Sequence, residues 1–226
     1  MSEQDRWSAV DAFLVDRLIP RDEALEAALA TSAAAGLPNI SVSPTQGKLL
    51  NLLARSLNVK RILEIGTLGG YSTIWLARGL SPGGKLITLE SDARHAQIAR
   101  SNLSRAGLQD TVELVLGRAI DTLPTLAGPG PRGGPFDLVF IDADKPSTAD
   151  YFDWSIKLSR PGAMIVVDNV IRTGKVIDAD SEDAAVQGVR RFYDRLASDK
   201  RVTATAIQTV GQKGYDGFAL ALVTSV

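Results

Sequence analysis

Arg61-Ile62-Leu63-Glu64-Ile65-Gly66-Thr67-Leu68-Gly69-Gly70-Tyr71-Ser72 is the stretch that decides the fold. Its first five residues are a short, mostly apolar run of strand length, a glycine-rich turn follows, and a helical pattern resumes at about residue 70. A strand that feeds a helix through glycines is the opening half of a βαβ unit. The turn lacks the G-x-G-x-x-G spacing of dinucleotide sites. Glu64, at the strand's end, suits a cationic ligand group better than a pyrophosphate. Ser72 and the start of the following helix can hold a carboxylate. An amino acid joined to a nucleoside satisfies both demands.

Working outward, the same unit recurs. Runs at 85–89, 112–116, 138–141 and 164–167 read as strands, with helical patterns near 70–80, 92–106, 117–126, 147–159 and 183–198 between and after them. Repetition at this spacing predicts an α/β fold with a parallel sheet covered on both faces by helices. The end breaks the rhythm. Residues 202–209 alternate as a strand, 211–217 form a polar glycine-containing turn, and 218–223 form a second strand, so an antiparallel hairpin should finish the sheet. That order is seen in class I methyltransferases.

Residues 1–58 read as helix throughout, with Val10, Phe13, Leu14 and Leu18 on one stripe, an alanine-rich segment at 24–35, and a cap-then-proline start at Ser43-Pro44. The Gly/Pro-rich stretch 128–135 is a loop, too short for a linker. One domain is expected: a helical extension (1–58) on a Rossmann-like core (59–226).

Composition narrows the function. The 226 residues carry a net charge of −1, 45% hydrophobic and 23% charged residues, one histidine and no cysteine. Scattered cations argue against a nucleic-acid partner, which needs a concentrated basic face. The lack of cysteine removes thiolate catalysis and zinc–thiolate sites. No apolar run reaches the ~18 residues of a membrane span, and the N-terminal stretch lacks the pattern of a secretion signal. A cytoplasmic protein without a membrane partner is expected.

The chemistry gathers at the carboxyl ends of strands, where open parallel sheets bind ligands. Glu90 ends the second strand and can accept from both hydroxyls of a ribose. Ala119, after the third, is small enough to admit an adenine edge. The fourth strand ends in Ile141-Asp142-Ala143-Asp144-Lys145 and the fifth in Val167-Asp168-Asn169. Adjacent parallel strands bring Asp142, Asp168 and Asn169 toward one point, and such hard oxygen donors suit Mg²⁺, Mn²⁺ or Ca²⁺. A phenol is a poor nucleophile until it loses its proton, and Lys145 is an amine placed to take it. His95, Trp7, Trp75 and Trp154 read as structural. The 171–183 loop, with Arg172 and Lys175, reads as a substrate lid.

These residues resemble the catechol and caffeoyl-CoA O-methyltransferase family, over residues 42 to the C-terminus. The resemblance rests on Leu63-Glu64-Ile65-Gly66-Thr67, on Ile141-Asp142-Ala143-Asp144-Lys145 and on Val167-Asp168-Asn169-Val170. It implies a class I methyltransferase fold with a mostly parallel seven-stranded sheet and an antiparallel C-terminal hairpin strand. It implies methyl transfer from S-adenosylmethionine to a catechol-like or caffeoyl-type hydroxyl with a divalent cation. Asp142, Asp168 and Asn169 would hold the metal, and Lys145, assisted by Asp142, would act in catalysis. Val42, Glu64, Gly66, Thr67, Ser72, Glu90, Ala119 and Asp142 would contact the methyl donor, in a homodimer. The competing readings are an NAD-dependent oxidoreductase, which would need the missing glycine spacing, and a non-catalytic S-adenosylmethionine-binding protein, which would not need Lys145.

Overall fold

The computed structural model describes residues 1–128 and 130–225. Pro129, inside the 128–135 loop, and Val226 lie outside the described residues.

Three helices come first: α1 (Glu3–Leu18), α2 (Glu23–Ala34) and α3 (Pro44–Ser56). Ser43 caps α3 by accepting from the Gln46 N–H, with Pro44 in the first turn, as its sequence predicts. The alternating part follows as β1 (Arg61–Ile65), α4 (Tyr71–Ala77), β2 (Lys85–Glu90), α5 (Ala93–Arg105), β3 (Val112–Leu116), α6 (Ala119–Thr122), β4 (Phe136–Ile141), α7 (Thr148–Leu158), β5 (Ser159–Asp168) and α8 (Ala184–Ser198). The hairpin strands are β6 (Val202–Gly211) and β7 (Gly214–Val223). The single helix expected near 117–126 is split: α6 gives way to a 3₁₀ turn at Leu123–Ala127, where Pro124 has no N–H to continue an α-helical ladder.

All seven strands form one sheet in the order β3-β2-β1-β4-β5-β7-β6. β1 to β5 pair in parallel, and β7 runs antiparallel to both β5 and β6. The strand order reverses between β1 and β4, which makes the carboxyl ends of these two strands the place for a ligand. The hairpin is tighter than expected. Its strands pair as far as Gly211↔Gly214, leaving Gln212 and Lys213 as the turn. Cross-strand hydrogen bonding runs on through residues whose composition reads as loop.

Alternation along the strands assigns each side chain to one face. Leu63, Ile65, Val139, Ile141, Ile165 and Val167 pack with Phe152, Ile156 and Phe192 of α7 and α8. Ile62, Leu86, Leu138, Phe140 and Val166 pack with Leu50, Ala54, Ile74 and Trp75 of α3 and α4. A buried side chain of this size contributes about 1.5–3 kcal/mol, so the double-sided core fixes strand register firmly. Glu64 shares the phase of Ile62 and therefore faces α4.

Candidate active site

A cleft of about 700 Å³ opens over the carboxyl ends of β1, β2, β3, β4 and β5. Its wall brings together Val42, Gly66, Thr67, Ser72, Glu90, Ala119, Asp142, Lys145 and Asn169. Those residues come from positions 42 to 169, and the topology alone makes them neighbours. Glu64 and Asp168 stand behind this wall.

Glu64 differs from the expected direct ligand contact. Its side chain is fully buried and accepts hydrogen bonds from Ser72 Oγ (2.6 Å), Thr73 Oγ1 (2.5 Å) and Thr88 Oγ1 (2.6 Å). A buried carboxylate must find donors, and three hydroxyls supply them. Burial pushes its pKa up to about 7, against the pull of those hydroxyls. The Ser72 hydroxyl, expected to hold a ligand carboxylate, is thus engaged with Glu64 from its place on the wall.

Glu90 is similarly occupied. Oε2 accepts from the backbone N–H of Thr67 (3.2 Å) and Leu68 (2.8 Å), and Oε1 from that of Asp92 (2.9 Å). Three of roughly four acceptor positions are filled, so one ligand hydroxyl fits easily where two were expected. His95, read as structural from the sequence, lines the cleft with Nδ1 3.6 Å from Glu90 Oε1. Thr67 turns its hydroxyl inward, toward Thr88 Oγ1 at 2.6 Å. Gly66 permits the close approach of two strand ends: with φ +98°, any Cβ there would collide with the Asp142 carbonyl oxygen.

The other end of the cleft is built differently. Lys145 Nζ donates to Asp142 Oδ1 at 2.9 Å, and both side chains are mostly buried. Asp168, behind them, accepts from the Asn169 N–H (2.8 Å), with the Gln46 side chain nearby. Burial, and then the nearby Asp142 carboxylate, push the Asp168 pKa up to about 7. Two carboxylates here share one ammonium. Asn169 adopts φ 58°, a left-handed conformation that Asn tolerates better than most residues. Among the described residues no three His, Cys, Asp or Glu side chains converge on a metal-sized site. The donor set is instead two carboxylates and an amide, all oxygen-bearing, which fits a hard divalent cation. The closeness of two carboxylates to a single ammonium is the negative charge that such an ion would relieve.

Lys145 is positioned from below. Gly188 of α8 abuts the Lys145 backbone so closely that a Cβ would overlap the Lys145 carbonyl oxygen and the Pro146 Cα. Asp144, next to the ammonium in sequence, is turned aside: it accepts from Tyr151 Oη (2.5 Å) and Ser147 Oγ (2.5 Å). Burial and Asp144 together raise the Tyr151 pKa, so Tyr151 stays a neutral donor on the wall. Gln46 and Tyr151 are site neighbours that sequence reasoning did not place, while Arg172, read there as part of a substrate lid, lines the cleft.

Comparison with known proteins agrees with this geometry. The O-methyltransferase family model matches residues 20–222. A catechol O-methyltransferase of Mycobacterium tuberculosis is 57% identical over 99% of both chains. Among solved structures, an O-methyltransferase from Bacillus cereus in complex with S-adenosylhomocysteine superposes with TM-score 0.96 at 56% identity, covering 98% of this chain and 100% of that one. The O-methyltransferase TomG of Streptomyces achromogenes, in complex with S-adenosylmethionine and involved in tomaymycin synthesis, gives TM-score 0.96 at 56% identity over 100% of both. With the sheet order, the cleft and these matches in agreement, the chain belongs to the O-methyltransferase family and has the class I S-adenosylmethionine-dependent methyltransferase fold.

Proposed function

We propose that this chain transfers the methyl group of S-adenosylmethionine to one hydroxyl of a catechol-like or caffeoyl-type phenol, with Mg²⁺, Mn²⁺ or Ca²⁺ held by Asp142, Asp168 and Asn169. The observation that carries the reading is the buried Asp142–Asp168 pair, half-neutralised by the one ammonium of Lys145 at the cleft wall. The catechol O-methyltransferase relative and the two ligand-bound structures support the same donor and acceptor classes.

In this reading Val42 and Ala119 flank the donor's base, Glu90 receives a ribose hydroxyl, and Gly66, Thr67, Ser72 and Asp142 line its methionine end, with Glu64 acting through Ser72. A bound divalent cation supplies Lewis acidity that favours the ionised hydroxyl. Lys145, in its neutral amine form and released from Asp142, takes the hydroxyl proton, and the oxygen attacks the sulfonium methyl in line as the S–CH3 bond breaks and S-adenosylhomocysteine leaves. The walls contribute by holding the two reactants in that alignment and excluding water. The N-terminal extension belongs to the same working unit, because Val42 and its neighbours Ile40 and Ser41 complete the cleft.

Methyl transfer to catechol, assayed with Mg²⁺ and then with EDTA, tests the proposal. Activity should vanish with the chelator and return with excess Mg²⁺, while calorimetry shows S-adenosylhomocysteine still bound. An undiminished rate in EDTA removes the cation from the reading. A homodimer is part of the same proposal. Val10, Phe13 and Leu18 of α1, and Ile207 and Val210 of the edge strand β6, are exposed. α1 is tied to the hairpin through Gln4 and Asp11, and a second copy would cover this apolar edge. Sedimentation equilibrium should give twice the chain mass; a monomer mass refutes it.

A further inference from the structure

The loop after β5 carries a cation with no assigned task. Arg172 lines the cleft, three residues beyond Asn169. Among the described residues its guanidinium makes no hydrogen bond, and its Nε is buried without a partner. The one ion-pair contact, Arg172 NH1 to Asp216 Oδ2, is 4.0 Å long. A buried donor without a partner is costly and calls for an explanation.

Asp216 is engaged elsewhere. Its Oδ1 accepts from the backbone N–H groups of Ile171, Arg172 and Gly217, each at 3.0 Å. Those bonds hold Arg172 at φ 56°, and Thr173 follows at φ 55°, left-handed conformations that residues with a Cβ rarely adopt. The far side of the loop is anchored by Arg190 NH1 donating to the Val176 carbonyl at 2.6 Å. Backbone strain is accepted, and the result is a guanidinium at the cleft wall with its donors unused.

Resting on the methyl-transfer reading above, we infer that Arg172 is a specificity residue that binds a carboxylate on the acceptor, so the preferred substrate is a catechol carrying an acid group. A guanidinium presents a planar fork of donors that matches a carboxylate in two parallel hydrogen bonds. Lys145 is paired with Asp142, whereas among the described residues the Arg172 guanidinium has only the 4.0 Å contact with Asp216. Lys213, in the β6–β7 turn, feels the Asp142 and Asp168 carboxylates and adds positive potential on the same side.

The test compares 3,4-dihydroxybenzoate with 3,4-dihydroxybenzamide, which share size and catechol but differ in charge. The wild type should favour the acid in kcat/KM by about tenfold or more, the reach of a charge-assisted hydrogen bond. R172Q should erase that ratio mainly through KM for the acid, and R172K should keep part of it. Calorimetric titration of 3,4-dihydroxybenzoate into protein with S-adenosylhomocysteine and Mg²⁺ should show the same loss of affinity in R172Q. Retained S-adenosylhomocysteine binding by R172Q checks its fold. Equal turnover of acid and amide by the wild type, or an equal loss of both in R172Q, overturns the inference while leaving the methyltransferase reading intact. Failure of the wild type on every catechol overturns both.

Discussion

The two ends of the cleft both contain buried carboxylates, and they treat them in opposite ways. Under β1 and β2, Glu64 takes three hydroxyl donors and Glu90 three backbone N–H groups. Under β4 and β5, Asp142 and Asp168 divide one ammonium and one backbone N–H between them. The first pair is nearly satisfied by the chain itself. The second is left short of positive charge. A satisfied carboxylate shapes a wall, whereas an unsatisfied one attracts a ligand, so the contrast separates scaffold from chemistry without reference to any bound molecule.

The comparison can be broken most forcefully at Lys145. Lys145→Ala should lower kcat by about 10²–10⁴, the usual contribution of a general base, with S-adenosylhomocysteine affinity preserved. Loss of that affinity instead would make Lys145 part of the donor end. Gly66→Ala, between the two ends, should cost about 4 kcal/mol, because the new methyl group meets the Asp142 carbonyl and the backbone is left-handed. A normal urea midpoint for this variant would show that the strand ends can separate. The smallest effect is expected at Glu64, and it depends on pH. Its carboxyl rises from 4.5 to about 7 on burial, so the folded state holds the proton more tightly. Stability from this group is complete below pH 4.5 and is lost as pH climbs through 7. That loss is on the order of 3 kcal/mol. Glu64→Gln should flatten urea stability across this window, and an unchanged pH slope would mean that Glu64 stays ionised.

Much of this was legible in the chain. Continuous apolar runs such as Leu138-Val139-Phe140-Ile141 announce strands buried on both faces, and Ser43-Pro44 announces the start of α3. Asp142, Asp168 and Asn169 could be grouped because parallel neighbours end on the same side of a sheet. The direction of Glu64 was less accessible. Alternation pairs it with Ile62, but which helix covers that face depends on packing that no local pattern records. The cleft-wall positions of Arg172, assigned to a lid, and of His95, read as structural, were not visible for a related reason: distant segments enclose each of them. The hairpin turn was misjudged because Gly214, Asp216 and Gly217 have loop composition, while their pairing with Gln208, Thr209 and Gly211 comes from a strand outside the local window.

The contact between Gly188 and the Lys145 backbone reaches further than its size suggests. Helix α8 acts as a stop against which the segment bearing the amine is pressed, and on the proposed mechanism the missing methyl would set how far that amine projects into the cleft. A one-carbon change on the outer layer of the molecule would therefore detune proton removal with every polar group of the cleft still in place. Turnover in this enzyme can thus drift through a position that touches neither reactant.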